Sequence, residues 1–84
     1  MTDRTDATSP RLTATETRLL DVLRSRPGYV FSRAELVGLV MPDAIVLERT
    51  IDVHVRALRF KLGKEAESIR TIRGGGYCFA SSET

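Results

Sequence analysis

The stretch that most constrains how this chain folds runs from about residue 47 to residue 62, where apolar side chains recur at helical spacing. Positions i, i+4, i+7 and i+11 of this stretch are Ile51, Val55, Leu58 and Leu62. These side chains share one face of a helix, and the opposite face is more polar. Gly63 follows, where the C-cap of a helix favours a residue with positive φ. The pattern therefore predicts an amphipathic helix over about 47–62 with one face on a core and the other outward.

Two shorter helices are predicted upstream by the residues that begin them. Thr13 with Glu16, and Ser32 with Glu35, form capping boxes, in which each side chain accepts a hydrogen bond from the backbone N–H of the other residue. Apolar residues at helical spacing follow each box. A proline marks the end of each predicted helix: Pro27 after the first and Pro42 after the second.

The segment 69–80 is typical of a β-hairpin. Two short β-forming runs flank a turn that contains three consecutive glycines, and glycine allows the positive φ angles that tight turns require. Tyr77 and Phe79 are expected to pack on the core rather than stack on bases, and Cys78, which alternates with them, is expected to be exposed or half-exposed. Three helices followed by a terminal hairpin predict an α+β fold with the winged helix-turn-helix arrangement.

The remaining segments are interpreted as tails and a connection. A chain of 84 residues is long enough for one domain, which we expect to span 11–80. Residues 1–10 are expected to form a flexible N-terminal tail and residues 81–84 a C-terminal tail. The connection 41–48 has an apolar middle, Ile45, Val46 and Leu47, so part of the connection is expected to pack on the core and the rest to form a contact surface.

Charge is distributed unevenly along a chain whose composition, 42% hydrophobic and 29% charged, is that of a soluble globular protein. Residues 49–77 hold seven basic and three acidic side chains, a net +4, whereas residues 1–48 sum to −1. Such a concentration favours nucleic acid as a partner, although charge alone fits a solvated face equally well. No apolar run is long enough to span a bilayer, and a single cysteine excludes an internal disulfide. A cytoplasmic protein without a membrane partner is expected.

Enzymatic and metal-dependent functions find little support in the sequence. There is no paired-carboxylate or Ser/His/Asp arrangement for catalysis. The run from Arg73 through the three glycines lacks the Lys-Ser/Thr of a phosphate-binding loop. His54 and Cys78 alone are no metal-ligand set. We therefore expect a protein that is not an enzyme and needs neither a cofactor nor a metal.

From Leu12 to Phe79 the chain resembles the effector domain of OmpR/PhoB-type response regulators. The segments that carry the resemblance are, in order, Leu12-Thr13-x-x-Glu16-x-x-Leu19-Leu20, Pro27-Gly28-x-Val30-x-Ser32-Arg33-x-x-Leu36, Arg49-Thr50-Ile51-Asp52-Val53-His54-Val55-x-x-Leu58-Arg59-x-Lys61-Leu62-Gly63 and Ile69-Arg70-Thr71-Ile72-Arg73-Gly74-x-Gly76-Tyr77-x-Phe79. The third segment is the most specific. Four segments in the right order and at the right spacing make the resemblance strong.

The resemblance implies sequence-specific binding of double-stranded DNA by a transcriptional regulator. The helix at about 47–62 would enter the major groove, and the wing at about 69–80 would lie on the minor groove or the backbone. In the family, the positions matching Arg49, Thr50, Val53 and His54 line the DNA side of the helix. Those matching Arg56 and Arg59 are candidates for phosphate contacts, and the one matching Arg73 reaches from the wing to the minor groove or its phosphates. With Lys61 added from the same helix, the predicted DNA contacts are Arg49, Thr50, Val53, His54, Arg56, Arg59, Lys61 and Arg73.

The resemblance also implies partners and a location. Family members often bind direct repeats as head-to-tail pairs, so a dimer that forms on DNA is expected. The segment that matches residues 41–48 can touch RNA polymerase. The implied location is the bacterial cytoplasm, on the nucleoid.

Alternatives stay open for three of these side chains. Arg49 reaches a guanine or a phosphate, or it pairs with Asp52 one helical turn away. Asp52 suits a structural role, because it meets the positive end of the helix dipole and can orient Arg49 or Arg56. His54 contacts a phosphate or sugar, or it is an exposed surface residue.

The chain departs from the family pattern in ways that matter for function. The antiparallel sheet that precedes the first helix in the family is expected to be missing or reduced to a short strand near 11–12. A phospho-receiver domain is also expected to be absent, so phosphorylation control is not assigned to this chain. Ala57, Phe60 and Cys78 replace residues that are basic or polar in many members. Phe60 could belong to a contact with a partner or a second copy. The alternative function is therefore a protein-interaction module that keeps the fold and has lost DNA binding.

Overall fold

The computed structural model describes residues 11–80, and the tails expected at 1–10 and 81–84 lie outside the described residues. The elements are, in order, α1 (Ala14–Ser25), α2 (Arg33–Val40), α3 (Arg49–Leu62), a 3₁₀ helix (Gly63–Ser68), β1 (Ile69–Ile72) and β2 (Gly76–Phe79). The order of three helices and a hairpin confirms the predicted winged helix-turn-helix fold. The 3₁₀ helix was not predicted from the sequence.

Both capping boxes are formed. The Oγ1 atom of Thr13 accepts from the backbone N–H of Glu16 at 3.1 Å, and the Oε1 atom of Glu16 accepts from the backbone N–H of Thr13 at 2.9 Å. Ser32 and Glu35 make the same reciprocal pair at 3.0 and 2.9 Å. Each box satisfies N–H groups that the first turn of a helix otherwise leaves unpaired, which explains why α1 and α2 begin where the sequence predicts.

The core lies where the three helices and the hairpin meet. Helix α3 contributes the stripe that the sequence predicted, with Ile51, Val55 and Leu58 fully buried and Leu62 packed at its edge. The other fully buried side chains come from α1 and α2: Leu19, Leu23, Leu36 and Val40. Each such side chain contributes on the order of 1.5–3 kcal/mol of transfer free energy, so the buried stripe fixes which face of α3 points outward.

Helix α3 begins at Arg49, two residues later than the expected start near Leu47. Glu48 is the N-cap and makes no side-chain capping bond, and Leu47 is exposed before it. No capping residue stands before position 47 to begin the helix there. At the other end, Gly63 adopts φ +61° and donates its backbone N–H to the carbonyl of Arg59, as a helix C-cap requires.

A further segment, at Phe31, pairs with strand β2 of the hairpin. Strands β1 and β2 are antiparallel, with Ile69 opposite Phe79, and Phe31 forms a bridge to Tyr77 with hydrogen bonds of 2.9 and 3.0 Å. Strand β2 is therefore flanked on both sides. The expectation that Cys78 is exposed is wrong, because this side chain lies on the middle strand and is 7% exposed. Tyr77 is buried and Phe79 packs against the core, as expected.

The connection 41–48 packs less than the sequence suggested. Met41 packs against the core and Val46 is partly buried, but Ile45 is fully exposed and Leu47 is exposed as well. Part of the connection therefore packs on the core, as expected, but Ile45 and Leu47 do not contribute to that packing. The buried stripes of α2 and α3 already fill the interior, which leaves these two side chains on the surface.

Residues 11–13, which precede α1, form no strand. Within the described residues, no helix has the length and apolarity needed to cross a membrane.

Candidate nucleic-acid interface

The outward face of α3 is a continuous exposed surface. Its exposed positions repeat the spacing of the core stripe on the opposite side of the helix: Arg49, Val53, Arg56 and Phe60. Val53 is 64% exposed and Phe60 is 85% exposed. Because the core stripe fixes the rotation of α3, these four side chains are the ones that a partner lying along the helix would meet.

Six of the eight predicted contact residues remain available to a partner. Thr50 and His54 are partly exposed beside the outward face of α3. Arg73 is exposed in the turn of the wing. None of Arg49, Arg56 and Arg73 makes an ion pair with another residue in the range 11–80, so the pairing of Arg49 with Asp52 is not formed.

The other two predicted contacts are engaged within the protein. The Nη2 atom of Arg59 donates to the backbone oxygen of Ile69 at 2.7 Å and to the Oγ1 atom of Thr71 at 2.9 Å. The Nζ atom of Lys61 lies 2.7 Å from the Oε1 atom of Glu16 on α1. Arg59 therefore ties α3 to strand β1, and Lys61 ties α3 to α1.

Glu16 is a buried carboxylate held ionised by these contacts. Burial opposes its ionisation, but the hydrogen bonds from Lys61 and from the backbone of Thr13 outweigh that effect and hold its pKa below the ordinary value. The residue thus serves two purposes, as the capping partner of Thr13 and as the counter-ion of Lys61. Its burial was not anticipated, because a glutamate in a capping box usually faces solvent.

Asp52 lies at the meeting point of α2, α3 and the wing. Its two carboxylate oxygens accept from Arg33, with Nε to Oδ1 at 3.1 Å and Nη2 to Oδ2 at 2.8 Å, and Oδ1 also accepts from the hydroxyl of Tyr77 at 2.6 Å. The expectation that Asp52 orients Arg49 or Arg56 is wrong. Asp52 projects from the flank of α3 that faces α2 and the wing, whereas those two arginines project outward.

This arrangement neutralises a charge that would otherwise oppose an anionic partner. The hydrogen bonds from Arg33 and then from Tyr77 hold the pKa of Asp52 below its ordinary value, so the carboxylate stays ionised and paired. Burial and the bond to Asp52 raise the pKa of Tyr77 to about 12. At neutral pH Tyr77 is therefore a hydrogen-bond donor, and Asp52 and Arg33 form a bidentate ion pair.

An open groove of about 540 Å³ separates the beginnings of α2 and α3 from the wing. Its walls include Arg33, Glu48 and Asp52 on one side and Thr71, Arg73 and Tyr77 on the other. No motif or spacing in the sequence predicts this groove. The only relevant signals were Arg33, which follows the cap of α2, and Tyr77, whose hydroxyl needs a partner when the ring is buried.

The shape of the wing turn depends on glycine. Gly74 adopts φ +78° and Gly76 adopts φ +140°, and both angles lie where side-chain-bearing residues are strained. A Cβ atom at Gly76 would lie 2.0 Å from the backbone oxygen of Phe31. Gly76 therefore permits the close pairing of the hairpin with residue 31, and Arg73 begins the turn that this pairing holds in place.

No group of three or more His, Cys, Asp or Glu side chains stands close enough to hold a metal ion in the part of the chain that the structure describes. The chemistry of the surface is instead that of exposed arginines, small polar groups and apolar side chains. Such a surface is suited to binding a large anion with apolar features.

A domain with a third helix presented outward beside a β-hairpin is a winged helix-turn-helix domain, a class whose third helix commonly reads DNA. The family described as "Transcriptional regulatory protein, C terminal" matches residues 7–79. The chain belongs to this family, and its fold is that of the DNA-binding domains of OmpR/PhoB-type response regulators. The family consists of domains of transcription regulators.

Three similar proteins illustrate the relationship. The phosphate regulon transcriptional regulatory protein PhoB of Rhizobium meliloti is 50% identical over 74 residues, which cover 84% of this chain and 33% of the relative. The DNA-binding domain of the response regulator AdeR, solved in complex with an intercistronic region, superposes with a TM-score of 0.76 at 36% identity and covers 84% of this chain and 74% of that one. The Klebsiella pneumoniae RstA DNA-binding domain, solved with the RstA box, gives 0.71 at 28% identity, covering 83% and 73%. The chain thus spans about a third of the length of its PhoB relative, 33%.

Proposed function

We propose that this chain binds double-stranded DNA sequence-specifically as part of a transcriptional regulator, with α3 in the major groove and the wing on the minor groove or backbone. The observation that carries the proposal is the outward face of α3, where Arg49, Val53 and Arg56 are exposed while the core stripe is buried. The DNA complexes of AdeR and RstA support it. The comparisons favour this function over an interaction module that has lost DNA binding.

The dimensions of α3 suit this role. Its 14 residues make a helix of roughly 21 Å, and the major groove is ~12 Å wide, so the helix can lie along the groove with its outward side chains at the base edges. Thr50 and Val53 are placed to contact bases, and Arg49 to contact a guanine or a phosphate. Arg56 and His54 are placed for phosphate or sugar.

The internal contacts supply rigidity rather than affinity. Arg59 fixes β1 against α3, and the pair of Arg33 and Asp52 fixes α2 against α3, so the groove beside the wing keeps its width. A strand of DNA backbone passing from the major to the minor groove would fill this groove, with Arg73 on its far wall. Phosphate contacts then provide most of the affinity, and base contacts from α3 provide specificity.

Selection from a pool of random duplexes, followed by sequencing, tests the proposal. We expect enrichment of one motif, and two copies of it in direct repeat would indicate that the protein binds as a pair. Arg73→Ala should weaken binding to all sequences about equally, because a wing arginine on the backbone carries little base information. Thr50→Ala and Val53→Ala should instead change the preferred base at particular positions.

Arg24→Ala is the matched control, because Arg24 is exposed in the last turn of α1 and lies outside the candidate surface. This variant should select the same motif with the same affinity. Recovery of no motif by the wild type, or equal effects of the Arg73, Thr50 and Val53 variants on specific and random DNA, would contradict the placement of α3 in the major groove.

The exposed connection 41–48 supports a second contact, with RNA polymerase. In this segment, which connects α2 to α3, the apolar side chains of Ile45 and Leu47 are exposed on the surface. Within a regulator acting at the bacterial nucleoid, such apolar side chains suit a protein partner. Ile45→Ser with Leu47→Ser should abolish transcriptional activation at a selected promoter while DNA affinity is retained. Loss of DNA affinity in this variant would contradict the assignment.

A further inference from the structure

Two exposed apolar side chains lie in line on the outward face of α3. Phe60 follows Val53 by seven residues, which is two turns of an α-helix with a rotation of only about 20° between them. Val53 is 64% exposed and Phe60 is 85% exposed, and neither belongs to the core cluster. A single exposed phenylalanine needs no explanation, but its alignment with a second apolar residue on the outward face of α3 defines a ridge.

The residue between the two is small. Ala57 lies one turn after Val53 on the same side of α3 and is only partly exposed. Because alanine has no long side chain, nothing at this position holds the helix away from a groove floor. Val53 and Phe60 are therefore the projecting points of the ridge.

The surroundings of the ridge indicate what it faces. Arg49 and Arg56 are exposed beside it and make no ion pair with the residues between 11 and 80. A suitable partner must therefore present apolar groups between rows of negative charge. The major groove of DNA does so, because the C5-methyl groups of thymines project into it between the phosphates, and phenylalanine is among the side chains that contact this methyl. A symmetric contact with the same face of a second copy would bring arginines against arginines.

We propose that Phe60 is a specificity-determining residue that contacts the C5-methyl group of a thymine. Seven helical residues advance by about 10.5 Å, and because the major groove is inclined to the DNA axis this distance spans about two to three base pairs at a rise of 3.4 Å. The preferred sequence thus has thymines about two to three base pairs apart, one under Val53 and one under Phe60. The inference rests on the proposed DNA-binding function and adds base chemistry to it.

Replacement of thymine by deoxyuridine tests the contact, because it removes the methyl group and leaves base pairing intact. Each thymine of the selected duplex is replaced in turn, and affinity is measured by anisotropy. We expect a loss of about fourfold at each of two positions about two to three base pairs apart, the size that burial of one methyl group gives. Replacements elsewhere should have no effect.

A double-mutant cycle assigns each methyl group to its side chain. In Phe60→Ala, deoxyuridine should no longer reduce affinity at the second position, while it still reduces affinity at the position under Val53. Leu39→Ala is the matched control, since Leu39 is also an exposed apolar residue, 52% exposed, on α2. Thermal unfolding of Phe60→Ala should match the wild type, because the side chain packs on nothing in the core.

The outcomes separate this inference from the function on which it rests. If the wild type binds no duplex, the proposed function fails, and the assignment of Phe60 fails with it. If the wild type binds its selected duplex but no deoxyuridine effect depends on Phe60, only the assignment of Phe60 is overturned. A Phe60→Ala variant that changes the sedimentation mass and leaves DNA affinity intact would also overturn it, in favour of a second copy as the partner.

Discussion

The hydroxyl of Tyr77 on β2 donates a hydrogen bond of 2.6 Å to Asp52 on α3, and the same carboxylate accepts two bonds from Arg33 on α2. One carboxylate thus joins the helix that would read DNA, the helix before it and the wing. Its charge is balanced by Arg33 rather than by the outward arginines. Arg49 and Arg56 therefore stay available to an anionic partner.

Coupling between Asp52 and Tyr77 is the first prediction. Asp52→Ala should lower the free energy of unfolding by about 1–2 kcal/mol, since it removes the acceptor of the Tyr77 hydroxyl together with an ion pair that is partly exposed and screened by solvent. Tyr77→Phe removes the donor from the same bond, so the two changes together should cost less than their sum. Urea unfolding of the two single variants and the double variant measures the coupling. Strict additivity would show that the bond contributes nothing to stability.

Acid sensitivity is the second prediction and concerns Glu16. Its pKa is lowered in the folded state, so its contribution to stability is present above the pKa of the unfolded state and is lost as pH falls through the folded value. The free energy of unfolding should therefore decline from about pH 4 downwards. Glu16→Gln should reduce stability at pH 7 and flatten this decline. Glu67→Gln, which changes an exposed carboxylate, should leave the decline as it is in the wild type.

Much of the fold could be predicted because its signals are local. The capping boxes at Thr13 and Ser32 fixed the starts of α1 and α2, and the apolar stripe fixed the buried face of α3. The 3₁₀ helix at 63–68 and the bridge between Phe31 and Tyr77 were not predicted, because neither is marked by a periodic apolar pattern or a capping residue.

The candidate site was harder to predict because its partners are distant in sequence. Arg33 and Asp52 are 19 residues apart in the sequence, and Lys61 and Glu16 are 45 residues apart. Spacing along the chain therefore could not reveal either pair. The error over Cys78 has the same origin. Alternation along a strand gives the face of a side chain, and its burial depends on which segments flank the strand.

The role of Lys61 is the third prediction. Lys61→Met leaves the buried carboxylate of Glu16 without its counter-ion, so the free energy of unfolding should fall by about 1.5–3 kcal/mol. The dependence of DNA affinity on salt should not change, because Lys61 faces α1. Arg56→Gln is the comparison: it should flatten the log–log salt slope by about 0.9 and leave stability within about 0.5 kcal/mol of the wild type. A flatter slope in Lys61→Met would place that lysine on DNA instead.

The wing turn supplies the fourth prediction. Gly76→Ala should cost at least about 3 kcal/mol, because its methyl group would overlap the backbone of residue 31 and the φ of +140° is strained. In Gly74→Ala the added Cβ atom meets no atom within 4 Å, so the free energy of unfolding should fall only by the strain of a positive φ, about 1 kcal/mol. Urea midpoints of the two variants compare them. Equal losses would contradict the close approach of Gly76 to Phe31.

DNA binding through the outward face of α3 is tested most directly by the salt dependence of affinity for the selected duplex. If Arg49, Arg56 and Arg73 each neutralise a phosphate, log K should fall with log salt concentration with a slope of about −2.7 or steeper. In the double variant Arg49→Gln with Arg56→Gln, the slope should flatten by about 1.8. Absence of binding at low salt, or a slope that the double variant leaves unchanged, would contradict the assignment of this face to DNA.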